Sequence, residues 1–333
     1  MNSSTTINPL LEENYGAVPL GCAAPFPYFG GKSAVAEIIW ERLGSPAHYI
    51  EPFAGSMAVL LGRRSQPRIE TVNDKNGFVC NMWRSVRNDP EGVHFHARGP
   101  LMESEMHSRH AWLLDQGEEL VARLEGDPHY YDSQIAGYWL YCVCSLMGAI
   151  GTGKGPWKRE KGADGVTRLK RRPNDSSRGI VRSVPTVSSG RGTYAIDDLY
   201  EQLGKLQKRL ARVRVLCGDW KRAVTPVIIK SAPPVGILLD PPYAHDLRDD
   251  RVYATEANIT GEIMDFCRAW EDDVNCRIAL CGLDGEYDLP GWDKLPWTSR
   301  GGYNNHNKSG KENNRTKETI WFSPHCLPPA RLF

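Results

Sequence analysis

The chain has 333 residues, with 41 Lys and Arg against 40 Asp and Glu and a net charge of +1. That length fits one large domain carrying an insertion, or two domains. Nine cysteines, an odd number without a CxxC pair, exclude a disulfide framework and a zinc site, and point to a reducing cytoplasm. Residues 1–24 are polar and irregular, so no secretory leader is expected. Ser133 to Gly153 carries no charge, but Gln134, Ser145 and its scattered glycines and alanines make it too polar for a bilayer span. A buried amphipathic helix around Ile135–Met147 is expected there. His306 and the pair His325-Cys326 carry no metal-ligand spacing, and no metal is expected.

In chain order, residues 25–43 open with Pro-Phe-Pro-Tyr-Phe-Gly-Gly-Lys and run into a helix with Ala34, Ile38, Ile39 and Leu43 on one stripe. His48–Phe53 is a predicted strand that breaks at Ala54-Gly55-Ser56 and restarts as a helix over Met57–Leu61. That strand, tight turn and helix let backbone amides approach a nucleotide-like ligand. A second strand, Ile69 to Asp74, ends in an acid about twenty residues on, where a ribose's hydroxyls are commonly taken. From 92 to 195 the alternation of strand and helix is lost. It returns with a helix over Asp197–Leu210, striped by Leu199, Leu203, Leu206 and Leu210, and a strand Val213–Cys217 ending in Gly218-Asp219-Trp220. The apolar run Val235 to Leu239 reads as a fully buried parallel strand. A helix near Thr260–Trp270 and strands over Cys276–Cys281 and Thr319–Ser323 complete the pattern.

The near-neutral total conceals an asymmetry. Between Lys154 and Arg191 eleven cations face three acids, a local +8 against −7 for everything else. A Gly/Ser/Pro-rich basic arm with Trp157 among its cations reads as a grip on a polyanion, with Lys154, Lys158, Arg159, Lys170, Arg171 and Arg172 as the candidate contacts. The alternative is a solubilising loop. The Gly/Asn-rich stretch Arg300–Lys317 is a second candidate contact, or a surface loop.

Asp240-Pro241-Pro242-Tyr243 follows the buried strand directly, where ligands of open α/β sheets bind. An acid, two prolines and an aromatic there form a rigid rim with one hydrogen-bond acceptor and one stacking face, suited to a planar base with an exocyclic amino group. Two decoys are set aside. Phe53 to Met57 is not the GxGxxG of a nicotinamide site, and Gly148 to Lys154 spells GxxxxGK but has Gly155 where a P-loop needs Ser or Thr.

Taken in order, Tyr28-Phe29-Gly30-Gly31-Lys32, Glu51-Pro52-Phe53-Ala54-Gly55, Asn73-Asp74, Gly218-Asp219-Trp220 and Asp240-Pro241-Pro242-Tyr243 resemble the motif series of Dam-type adenine-N6 DNA methyltransferases. The segment from Arg277 to Cys326 resembles phage- and prophage-borne members. One departure is Met57, at the family's usual second loop glycine, where a side chain could narrow the cofactor pocket. The resemblance implies a Rossmann-like α/β methyltransferase fold with an inserted target-recognition domain. It also implies S-adenosylmethionine as cofactor and double-stranded DNA as partner. Tyr28 and Lys32 would contact the cofactor, the lysine through its carboxylate. Phe53 and Gly55 would wall and turn beside it, Asp74 would take the ribose and Asp219 the cofactor's adenine amino group. Singly, Asp74 and Asp219 read equally well as helix caps.

The chemistry accounts for an acid at position 240. The adenine amino nitrogen is a weak nucleophile because its lone pair is delocalised into the ring. The Asp240 side chain and the Pro241 carbonyl could hold its two hydrogens and draw it towards tetrahedral geometry. Inside a duplex the group is out of reach, so the base must be flipped, with Tyr243 stacking on it. The expected organisation is a flexible N-terminus over 1–19, a discontinuous catalytic domain over 20–91 and 196–333, and recognition over 92–195. The rivals are a cytosine-N4 methyltransferase, disfavoured by an acid at 240, and a non-catalytic DNA-binding protein, disfavoured because Lys32, Asp74, Asp240 and Tyr243 occur together. The residues do not reveal the DNA target, the oligomeric state, or a restriction endonuclease or other defence partner.

Overall fold

A computed structural model describes residues 17–28, 31–99, 102–145, 157–162, 164, 166–171, 196–242, 250–297 and 318–329. Its centre is a seven-stranded sheet. Five strands run parallel: β1 (His48–Glu51), β2 (Ile69–Asp74), β5 (Val213–Cys217), β6 (Val235–Leu239) and β7 (Cys276–Leu283). The edge beyond β7 is made by β9 (Glu318–Phe322), antiparallel to β7, and β8 (Asp293–Trp297), antiparallel to β9. The spatial order is β5-β2-β1-β6-β7-β9-β8. Numbering only the sheet strands, six follow the doubly wound 3-2-1-4-5-6 order, with one antiparallel strand slipped in before the last.

The strands alternate between two apolar layers, as the two-residue period of a strand requires. Tyr49, Leu238, Ala279, Cys281 and Phe322 belong to one buried cluster, while Ile50, Ile237, Leu239, Ile278, Leu280 and Trp321 belong to the other. All five residues of β6 are buried, so the uninterrupted Val-Gly-Ile-Leu-Leu run is a strand covered on both faces. Edge strand β5 instead shows alternating burial.

The helices refine the predicted pattern. The first, α1 (Ala36–Leu43), begins two residues beyond Ala34, which shifts its inner face to Val35, Ala36, Ile39 and Leu43 and leaves Ile38 on the outside at 37% exposure. The short α2 (Ala58–Leu61) starts after Met57 rather than at it. Next, α3 (Gly77–Asn88) is capped by the Asn76 side chain, which accepts from Phe78 N at 3.0 Å. The stretch that loses its alternation begins with three helices: α4 (Pro90–Ala97), α5 (Glu103–Gly126) and α6 (Ser133–Ser145). Apolar almost all round, α6 is buried within the protein. Its Gly137 packs so closely on α4 that an added Cβ would lie 2.4 Å from His96 Cβ. Val93, Met106, Leu120 and Trp139 of these helices join the same cluster as Val72 and Val79, so they share the core of the sheet's first half. Arg84 fastens them: its guanidinium donates to Val215 O, Leu124 O and Asp127 O at 3.0, 3.2 and 2.9 Å.

A separate hairpin of β3 (Trp157–Lys161) and β4 (Thr167–Arg171) follows. The predicted leucine stripe is the buried face of α7 (Ile196–Leu210), with Leu199, Leu203, Leu206 and Leu210 at 5% exposure or less. Beyond α8 (Pro226–Lys230), α9 spans Asp250–Trp270, ten residues longer on its N-terminal side than the sequence suggests. At the other end of the chain, Val18 is buried and exchanges two hydrogen bonds with the Gln66 side chain, at 3.1 and 3.0 Å. Among the described residues, no helix is long and apolar enough to cross a membrane.

Candidate active site

In the doubly wound order the strand sequence reverses between β1 and β6, and ligands of such sheets sit outside the carboxyl ends at that reversal. Four loops leave the sheet there or beside it: Pro52–Ser56 after β1, Lys75-Asn76 after β2, Gly218-Asp219 after β5 and Asp240–Pro242 after β6. They are tied together by Asn73, buried at 1% exposure. Its side-chain amide donates to Pro52 O at 3.1 Å and to Gly218 O at 3.0 Å, while its backbone carbonyl accepts from Ala54 N at 2.8 Å. One residue thus fixes the spacing of three strand ends.

The loop after β1 bends back because Gly55 adopts φ +45°, a region glycine enters without penalty. There is no room for a side chain: a Cβ would lie 2.5 Å from Tyr28 Cε1. The Gly55 N–H donates to Asp74 Oδ2 at 2.8 Å and its carbonyl accepts from Trp83 Nε1 at 2.9 Å. The other Asp74 oxygen accepts from Asn76 N at 2.8 Å. Burial raises the Asp74 pKa, against the lowering effect of these backbone donors. So Asp74 both caps the turn into α3 and props the glycine loop, two backbone duties that a helix cap alone would not combine.

Met57 takes φ +51°, a left-handed conformation costing a side-chain-bearing residue roughly 1–2 kcal/mol. Its side chain is fully buried and belongs to the core cluster.

Tyr28 leans over Gly55 and keeps 38% of its surface exposed. Burial of its hydroxyl, with the fields of Asp74 and Asp240, raises the phenol's pKa and keeps it protonated. Phe53 stacks on Trp220 with ring centres 5.9 Å apart, and Trp220 packs in turn on Phe266. Asp219 is exposed and accepts from Lys221 N at 2.9 Å, capping a 3₁₀ turn over Trp220–Ala223.

After β6, Pro241 is buried and Pro242 exposed. Asp240 Oδ1 accepts from Lys32 Nζ at 2.9 Å, with the two side chains 20% and 3% exposed. Lys32 lies ahead of α1 and is itself buried, although Gly31 and Ser33 on either side are exposed. Close by is Glu51, the last residue of β1, which the sequence reading passed over. Burial drives its carboxyl up to about 8, although the Tyr49 hydroxyl donates to it at 3.1 Å. Asn73, Glu51 and Trp83 are the components missed by sequence reasoning. The first two lie inside quoted motifs, but nothing in the letters says that they face inward.

Tyr243, Lys154, Arg172, Phe29, Gly30 and the stretches 1–16, 148–155 and 300–317 lie outside the described residues. Of the basic arm, residues 158 and 159 lie on β3 and residues 170 and 171 on β4, with 158 opposite 170. Lys170 is exposed and bridges to Glu160 at 3.0 Å.

The mixed seven-stranded sheet, with a glycine loop after β1 and acids ending β2 and following β6 at the reversal, has the Rossmann-like methyltransferase fold. Residues 28–112 match the family model of D12 class N6 adenine-specific DNA methyltransferases. No curated protein matches the chain. The matched segment includes Tyr28, Lys32, Phe53, Gly55 and Asp74 and stops short of Asp219 and Asp240. The activity is site-specific methylation of adenine N6 in DNA.

Proposed function

We propose that the protein transfers a methyl group from S-adenosylmethionine to N6 of an adenine flipped out of double-stranded DNA, as a Dam-type enzyme of phage or prophage kind. The observation that carries this reading is the meeting of the Asp74–Gly55 loop and Asp240 at one sheet reversal.

The residues fit the cofactor. Gly55 at positive φ lets the loop turn tightly beneath the Tyr28 ring, Asp74 ends the neighbouring strand, and Phe53 offers an aromatic ring held on Trp220. Tyr28, Phe53, Gly55 and Asp74 would hold it, with Asp219 at the far end. When bound, S-adenosylmethionine supplies an electrophilic methyl group.

Asp240 and the Pro241 carbonyl accept the two hydrogens of the adenine amino group and direct its lone pair outward. No strong base is needed, because the proton leaves readily once the nitrogen is methylated. The larger contributions are positioning and fixed dipoles in a dry site. Tyr243 stacks on the extruded base, for roughly 1–3 kcal/mol. Residues 20–91 and 196–333 form the catalytic domain and 92–195 carry recognition. In that segment, Lys154, Lys158, Arg159, Lys170, Arg171 and Arg172 grip phosphates.

The test is sequencing of modified bases in DNA from a host expressing the chain beside its Asp240→Ala variant. N6-methyladenine at one sequence context is expected for the wild type only. N4-methylcytosine, or no modification with intact DNA binding, would establish one of the rival readings. Tyr243→Ala should abolish the fluorescence rise of 2-aminopurine placed at the target, while Tyr243→Phe should keep most of it.

A further inference from the structure

We infer that Lys32 serves Asp240 rather than the cofactor: its ammonium hydrogen-bonds to the acceptor carboxylate and holds it in place, which makes Lys32 a positioning residue for methyl transfer. This rests on the reading of Asp240 as the acceptor of the adenine amino group, and assigns that acceptor its electrostatic support.

The geometry supplies the argument. Lys32 Nζ lies 2.9 Å from Asp240 Oδ1, and of the two side chains the carboxylate is the accessible one, at 20% against 3%. A substrate arriving from outside meets the acid first, with the ammonium beneath it. The lysine is also enclosed on the sheet side, 5.8 Å from the centre of the Trp297 ring on β8. Burial alone would favour neutral lysine, but Asp240, and more weakly Cys281 and Glu318, outweigh it and raise the Lys32 pKa, so the lysine is charged.

The other groups around Asp240 carry no positive charge. Tyr28 lies beside it, Glu51 closes β1, Cys281 and Tyr287 come from β7 and the segment after it, and Glu318 opens β9. None of these groups is a cation. Lys32 gives one Asp240 oxygen a charge-assisted hydrogen bond, which fixes the carboxylate's orientation towards an amino group that needs an acceptor. The two residues are distant in sequence, the lysine before α1 and the acid after β6, and only the sheet joins them.

The experiment measures methyl transfer from tritiated S-adenosylmethionine to unmethylated bacterial genomic DNA across pH, and S-adenosylhomocysteine binding by calorimetry. Wild type, Lys32→Met, Lys32→Arg and Asp240→Ala are compared. Lys32→Met should lower kcat roughly 10- to 100-fold, as expected for losing a charged hydrogen bond. It should also move the acid limb of the kcat profile to higher pH and leave the S-adenosylhomocysteine Kd within about threefold. Lys32→Arg should restore the position of the limb. Should Lys32→Met fail to fold, Lys32→Gln, which keeps a donor without the charge, must show the same displacement of the limb. A wild-type limb and kcat, or lost S-adenosylhomocysteine affinity with kcat intact, would overturn the inference. Full turnover by Asp240→Ala would instead overturn the underlying reading of Asp240.

Discussion

The backbone N–H of Gly55 donates to Asp74 Oδ2 at 2.8 Å, joining the turn after β1 to the carboxyl end of β2. The same carboxylate accepts from Asn76 N, so a single side chain shapes the glycine loop and the turn that leads to the Asn76 cap of α3. Asp74→Ala leaves two part-buried N–H donors without their acceptor, at about 1 kcal/mol each, and should lower both Tm and S-adenosylhomocysteine affinity. Calorimetry on the folded variant decides the matter. Unchanged affinity would make Asp74 purely a structural cap.

Glu51 gives the protein a pH signature. Its folded pKa, about 8, lies above the ordinary value of 4.5. The folded state therefore binds a proton that the unfolded chain releases, and stability falls as pH rises from about 4.5 to about 8 before levelling off. The slope approaches about 1.4 kcal/mol per pH unit within that window. Urea denaturation from pH 5 to 9 should show it, and Glu51→Gln should flatten it. An unchanged slope in the variant would place the titrating group elsewhere.

Far from the loops, Glu70 at 1% exposure receives two hydrogen bonds from Arg209, at 2.6 and 2.8 Å, and one from Arg63 at 3.3 Å. The cluster joins the end of α7 to β2, closing the chain on its return from residues 92–195. Removing the acid leaves two buried guanidinium groups without their anion, so Glu70→Ala should cost about 3–5 kcal/mol in urea unfolding. A loss under about 1 kcal/mol, typical of exposed pairs, would show that water reaches the cluster.

The hairpin sets Lys158 and Lys170 opposite one another, an arrangement that repels unless an anion intervenes. The exposed Lys170–Glu160 bridge offsets this only weakly. Neutralising Lys170, Arg171 and Arg172 together should weaken binding to cognate and unrelated duplexes alike. The log–log salt slope should drop by up to about 0.9 for each phosphate that the protein no longer neutralises. Binding curves at several salt concentrations are the measurement. An intact slope would move the grip to Arg300, Lys308, Lys311 and Arg315, whereas weakening confined to cognate DNA would make these residues base readers.

Strong local signals made much of the sheet legible in the letters. The apolar run Val235–Leu239, the acid-terminated Ile69–Asp74 and the leucine stripe of α7 each follow from periodicity, and each lies where periodicity puts it. The ordered motifs located the loops, because glycine, proline and acid at strand ends leave a local trace. The buried helix expected around Ile135–Met147 is α6, apolar almost all round rather than amphipathic, whereas α4 and α5 left less trace, α5 having a mixed face without a clean amphipathic period. Strand β8 was silent too, an exposed edge strand with a proline at position 296.

By itself the sequence determined the chemistry available, namely which acids, glycines and aromatics end which strands, because backbone preference and burial pattern act over a few residues. Only the tertiary structure decided which of these groups act on one another. Lys32 meets Asp240, Asn73 ties Pro52 to Gly218, and Met57 turns its side chain into the core despite a left-handed backbone. Such pairings depend on strand order and on what surrounds a buried charge, and neither quantity belongs to any short stretch of chain.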